Sequence, residues 1–176
     1  MDSTVGNSPV VDISLGRRFI KYTATAAAAF ILVACGSAWF HARYMVCQNL
    51  TESLPQHFFL VAKGTVPHRG DFLAFAVSGN AHQYPAGTVF IKEAIAEAGD
   101  TVSHKGNRVY VDGVYRGIIK AKGRKGFPLA PGPTGVIPAG HYFAWTPHPD
   151  SYDSRYADIG FPGLNSGVIG RAYPIF

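Results

Sequence analysis

Between Lys21 and His41 the chain runs 19 residues, Tyr22 to Phe40, without an Asp, Glu, Lys or Arg. As a helix this run would be about 28 Å long, close to the roughly 30 Å hydrocarbon core of a bilayer. It predicts a membrane anchor over residues 22–44. The remainder of the 176-residue chain is then a short tail, 1–21, and one folded domain, 45–176. Arg17, Arg18 and Lys21 precede the run, while His41 and Arg43 follow it. That bias favours a single pass with the tail in the cytoplasm and the domain in the periplasm of a bacterial inner membrane.

Two other readings of the run compete. A cleaved export signal has an apolar core of about 7–15 residues and a small-residue cut site. This run is longer, and Trp39-Phe40-His41 is a poor cut site. Leu32-Val33-Ala34-Cys35-Gly36 resembles a bacterial lipobox, in which Cys35 would carry lipid and still tether the domain. On a continuing helix Cys47 would lie about 18 Å from Cys35, too far for a disulfide. No cysteine follows Cys47, so the domain must hold without disulfides and offers no thiol nucleophile or cysteine-based metal site. The net charge of +5 is modest, and no aromatic-interleaved basic face points to nucleic acid. Arg116, Lys120, Lys122, Arg124 and Lys125 form an acid-free run. It reads either as a solvated loop or as a contact for anionic lipid or an acidic partner.

Beyond the anchor the pattern is that of short strands. Apolar or β-branched runs at 58–62, 72–77, 88–92, 101–102, 108–113, 142–145 and 167–172 are separated by Gly, Pro, Asp and Asn turn signals. Residues 117–140, rich in Gly, Pro and Lys, read as an extended loop, and 147–158 as a polar, turn-rich segment. With 20 Gly and 12 Pro, the fold class is mainly β, behind one N-terminal transmembrane helix.

Lys92 ends the run Thr88-Val89-Phe90-Ile91. One reading is a lysine snorkelling from a strand end. The other is a desolvated amine: burial disfavours the ammonium form, and a lysine brought near neutrality can take a proton from a serine hydroxyl. The chain also holds 7 His, so a Ser–His pair stays open on pattern alone. His57, His68, His82, His141 and His148 are scattered without a compact ligand motif. Neither a metal nor a cofactor is expected.

Four stretches carry chemistry when taken together. They are Thr51-Glu52-Ser53-Leu54-Pro55, Arg69-Gly70-Asp71-Phe72-Leu73-Ala74-Phe75, Lys92 through Val102 with its Gly99-Asp100, and Ser151-Tyr152-Asp153-Ser154-Arg155-Tyr156 followed by Gly170-Arg171-Ala172. In this order behind one anchor they resemble the bacterial type I signal peptidases, membrane-anchored serine proteases with a Ser/Lys dyad. The resemblance spans roughly residues 45–176. It implies Ser53 as nucleophile and Lys92 as general base. It implies Thr51, with the backbone N–H of Ser53, as the oxyanion hole. Ser151 would orient the Lys92 amine, and Asp153 and Arg155 would form an ion pair fixing the C-terminal loop.

Two departures refine the resemblance. Only Leu54 stands between Ser53 and Pro55, where general signal peptidases place a methionine and one more residue. Trp145-Thr146-Pro147-His148-Pro149-Asp150 stands where they carry Gly-Asp-Asn-Arg. Both features, and Ile119 to Arg124 with Pro128-Leu129, resemble the TraF-type branch encoded by conjugative plasmid transfer systems. In that branch an aspartate at the position of Asp153 is also required for activity. The resemblance implies a pilin precursor or another membrane-bound prepeptide as partner, inner-membrane lipid around the anchor, and no nucleic acid. Cutting could be followed by head-to-tail joining of the trimmed pilin. Removal of ordinary signal peptides, or a non-catalytic membrane-anchored assembly module, are the alternatives.

Overall fold

The computed structural model describes residues 13–77, 79, 81 and 84–175, with side chains described from residue 18 onward. His82 and the N-terminal part of the predicted tail therefore lie outside the described residues. The chain divides into two units, Met1–Ala42 and Arg43–Phe176.

The first unit is formed by α1 (Ile13–Arg43), which begins ahead of the uncharged run and takes in Arg17, Arg18 and Lys21. Alanine and other good helix formers dominate its centre. Thr23 and Thr25 donate their hydroxyls to carbonyls one turn back, at Phe19, Ile20 and Lys21, which keeps these groups paired in an apolar surrounding. Phe30, Ile31, Leu32, Val33 and Trp39 are exposed. By length and composition α1 can cross a membrane. It ends at Arg43, so Cys47 is not on a continuing helix. Both cysteines are free.

The second unit is β throughout. Its strands are β1 (Tyr44–Gln48), β2 (Phe58–Lys63), β3 (Phe72–Ala76), β4 (Val89–Glu97), β5 (Thr101–Lys105), β6 (Arg108–Val111), β7 (Val114–Ile118), β8 (Gly135–Val136), β9 (Tyr142–Trp145) and β10 (Val168–Pro174). A six-stranded antiparallel sheet runs β1-β2-β10-β3-β4-β9, and a four-stranded one runs β7-β6-β5-β8. The mainly-β expectation behind one apolar helix therefore holds. The structure differs from the sequence pattern in several places. β1, β7 and β8 are additional strands, with β8 and the end of β7 inside the expected 117–140 loop. β5 continues to Lys105, and β4 continues to Glu97, so Lys92 is a mid-strand residue.

Side-chain alternation along β3 explains the core. Leu73 and Phe75 point into a cluster with Val102, Val109, Val111 and Phe143, joining the two sheets. Ala74, with Phe72 beside it, faces a second cluster with Phe59, Val61, Ala172 and Leu54. Leu54 comes from the loop that carries Ser53, and burying a leucine contributes roughly 1.5–3 kcal/mol. The core thus holds that loop down. In β10, Gly170 leaves no room for a side chain, because a Cβ there would run into the carbonyl of Ala62 on β2. That close approach accounts for the glycine in Gly170-Arg171-Ala172.

Candidate active site

Ser53 sits in the connection between β1 and β2, and Asn49 shapes that connection. The Asn49 N–H donates to the His57 carbonyl at 2.7 Å, closing the loop. Its Nδ2 donates to the carbonyls of Leu54 and Gln56, both at 3.1 Å. Its Oδ1 accepts from the Thr51 N–H at 3.1 Å and the Thr51 hydroxyl at 3.0 Å. Thr51 Oγ1 is in turn 2.8 Å from Ser53 Oγ.

Lys92 reaches the same hydroxyl from β4. Its backbone is paired opposite Leu73 of β3, and its Nζ lies 5.7 Å from the ring centroid of Phe90. Nζ donates to Ser53 Oγ at 3.0 Å and to Ser151 Oγ at 3.0 Å. Only 6% of Lys92 is exposed. Burial lowers its pKa to about 8; Asp153 opposes the shift and Arg155 adds to it. The resting hydrogen bonds form one directed chain: ammonium to Ser53, Ser53 to Thr51, Thr51 to Asn49. When Lys92 loses its proton the chain can reverse at its first link, with the Ser53 hydroxyl donating to the amine lone pair. An amine so placed can act as a general base toward a serine.

The third element is the loop 147–156. Arg155 Nε and Nη2 donate to the two carboxylate oxygens of Asp153 at 2.8 and 2.9 Å. Both side chains are buried. Arg155 Nη2 also donates to the carbonyls of His148 and Ser151, at 3.0 and 3.1 Å. The guanidinium therefore holds the backbone of the residue whose hydroxyl meets Lys92. Burial is the largest single influence and works against the Arg155 charge, but the hydrogen bond and the charge of Asp153, with smaller contributions from Tyr156 and Tyr115, together leave its pKa raised. Two glycines let neighbouring segments close on this loop. At Gly117 a Cβ would press on Arg155 Nη1, and at Gly132 it would strike the Ser154 carbonyl. The Gly132 N–H donates to the Arg155 carbonyl at 2.8 Å.

All six residues singled out in the sequence, Thr51, Ser53, Lys92, Ser151, Asp153 and Arg155, are brought together here. Asn49, Gly117 and Gly132 were not anticipated. Among the described residues the side chain that bonds to Ser53 as a base would is Lys92, not a histidine. His148 is near, but its Nδ1 accepts from the Asp150 N–H. Among the described residues no group of three or more His, Cys, Asp or Glu could hold a metal. Ser53, Lys92 and Ser151 open onto a cleft of about 370 Å³, with Tyr84, Phe127 and Tyr152 forming part of its wall.

Residues 17–176 match the family described as signal peptidase, peptidase S26. The chain belongs to that family, which makes it a serine peptidase of the signal-peptidase kind, with α1 as its candidate membrane anchor. No curated protein matches it.

Proposed function

We propose that this chain is a membrane-anchored endopeptidase in which Ser53 is the nucleophile and Lys92 its general base. The observation that carries this reading is the 3.0 Å hydrogen bond between a buried lysine amine and the Ser53 hydroxyl. Ser53 Oγ attacks the scissile carbonyl while the neutral Lys92 amine takes its proton. Negative charge that develops on the carbonyl oxygen is met by the Ser53 N–H and the Thr51 hydroxyl. The tetrahedral species expels the leaving amine, to which Lys92 returns the proton, and the acyl group stays on Ser53 as an ester. An incoming water, or an amine of the substrate itself, then attacks the ester and releases Ser53. Ser151, Asp153 and Arg155 act through Lys92 as positioning residues.

The substrate on this reading is the pilin precursor of a conjugative transfer system. The short Ser53-Leu54-Pro55 spacing and the Trp145 to Asp150 segment support it, because both resemble the TraF-type branch. Resolution of the acyl ester by the pilin's own terminus would give a cyclic product. The family match is equally in keeping with removal of ordinary signal peptides. The domain works in the periplasm, and anchoring raises its concentration near a membrane-held substrate. Mass spectrometry of the pilin precursor, produced with the wild-type chain or with Ser53→Ala, tests this. The expected result is an uncut precursor with the variant and, with wild type, a trimmed product one water lighter than the linear form. A linear trimmed product would remove the cyclisation step. A precursor trimmed equally by both proteins would refute the reading.

A further inference from the structure

The part of the basic run that follows Arg116 of β7 lines the cleft, and much of it lies on a folded arm. Lys122 and Pro128 form a β-bridge. The Leu129 N–H donates to the Ala121 carbonyl at 3.0 Å, Gly123 to Phe127 at 3.0 Å, and Gly126 to Gly123 at 2.9 Å. Residues 121–129 thus make a tight hairpin with Gly123-Arg124-Lys125-Gly126 at its tip. Gly123 is required there, since a Cβ would run into the Phe127 ring. That ring packs edge-on against Tyr152, with centroids 6.4 Å apart.

The arm is tied down on two sides of the site. Arg124 lies 3.2 Å from Asp150 and 3.9 Å from Glu52, which adjoins Ser53. Lys120 also pairs with Asp150. Besides Lys92, the cleft wall then carries four cations, Lys120, Lys122, Arg124 and Lys125, against two carboxylates, Glu52 and Asp150. Lys120 and Arg124 use both carboxylates. Lys122 and Lys125 have no ion-pair partner among the described residues.

We propose that Lys122 and Lys125 form a carboxylate-recognition subsite, so that the enzyme selects peptides bearing an acidic group close to the bond it cuts. This rests on the peptidase reading and adds the chemistry of its substrate. Two ammonium groups on a concave wall that also holds Ser53 suit one carboxylate at a fixed place along a peptide. Lys122 and Lys125 are exposed residues that line the cleft, whereas Lys120 and Arg124 pair with Asp150, so a peptide lying in the cleft meets the first two.

The test uses the full chain in detergent micelles, carrying Ser53→Ala so that bound peptide is not cut. Dye-labelled alanine-rich peptides differ by one Glu or Gln, each with a free or an amidated C-terminus. A carboxylate should tighten binding roughly three- to tenfold, and less at high salt. The Lys122→Glu/Lys125→Glu double variant should reverse the preference, binding a Lys-bearing peptide better than the Glu one. Comparison of free with amidated ends tells whether a side-chain or a terminal carboxylate is read. Equal binding of all four peptides would overturn the proposal, as would a preference that survives the double reversal. So would a double variant that loses affinity only for phosphatidylglycerol vesicles, since the run would then be a lipid contact. In parallel, the chain with Ser53 intact is incubated with the same peptides; if it cuts none of them the peptidase reading fails, while the binding data from the Ser53→Ala chain still decide the subsite.

Discussion

Lys92 answers two opposed demands. Its place in the sheet removes water from its amine, and burial is what draws its pKa to about 8. Between that value and the ordinary 10.5 the unfolded chain binds more protons than the native one, so stability rises with pH across this window. Below it, the native state carries a buried charge. Lys92→Met keeps the side-chain length and removes that charge. It should therefore melt higher than wild type at neutral pH, by at most about 3 kcal/mol. The gap should narrow as pH rises from about 8 toward 10.5. Thermal melts of the two proteins across that range check this, and a gap independent of pH would contradict it. The same variant should be inactive, so function would cost stability at this residue. Thr51 is the second residue with divided duties on the proposed mechanism, since its single hydroxyl proton goes to Asn49 Oδ1 at rest and must turn to the substrate's carbonyl oxygen in the transition state. Thr51→Val should lower kcat about 10²–10³-fold with KM nearly unchanged, as expected of a donor used in the transition state. Steady-state kinetics on one peptide decide it; a loss confined to KM would make the hydroxyl a substrate-binding group.

At the scale of elements, the site depends on three pieces meeting: the β1–β2 connection, the middle of β4 and the loop 147–156. The last is held by the buried Asp153–Arg155 pair. Arg155→Met leaves the Asp153 carboxylate buried without its partner and releases the carbonyls of His148 and Ser151. It should cost about 3–5 kcal/mol in a denaturant titration; a loss under 1 kcal/mol would mean that the loop is held by other contacts. The residues that meet here were legible because each lies in a short motif of fixed order. The elements carrying them were less so. Tyr44–Gln48 adjoins the apolar run, and the sequence reading absorbed its start into the anchor. β4 reads as finished at Lys92 because Glu93 and an alanine-rich stretch follow. In the fold a register shift between Ala94 and Ala96 lets Ala94, Ile95 and Ala96 all be buried. β7 has Arg116 and Gly117 at its centre, which hides it in a Gly- and Lys-rich segment. Asn49 spends all its hydrogen bonds inside its own loop, so in sequence it is like any turn asparagine. The tight fits at Gly117 and Gly132 are set by residues far along the chain, which no local pattern reports.

For the whole molecule, the chemistry makes sense only with the domain on the side of the membrane where exported chains emerge. The basic residues ahead of the apolar run favour that proposed orientation. Protease added to intact spheroplasts should digest residues 45–176 and spare a tag placed at the N-terminus; a protected domain would reverse the proposed topology. The central claim, that a buried lysine activates Ser53, is tested most directly by the pH dependence of kcat/KM for the full chain on a single peptide. The base must be unprotonated, so activity should fall as pH drops below the Lys92 pKa, with one ascending limb centred at about 8. A limb near 6.5, the ordinary value for histidine, or activity that persists in Ser53→Ala would contradict it.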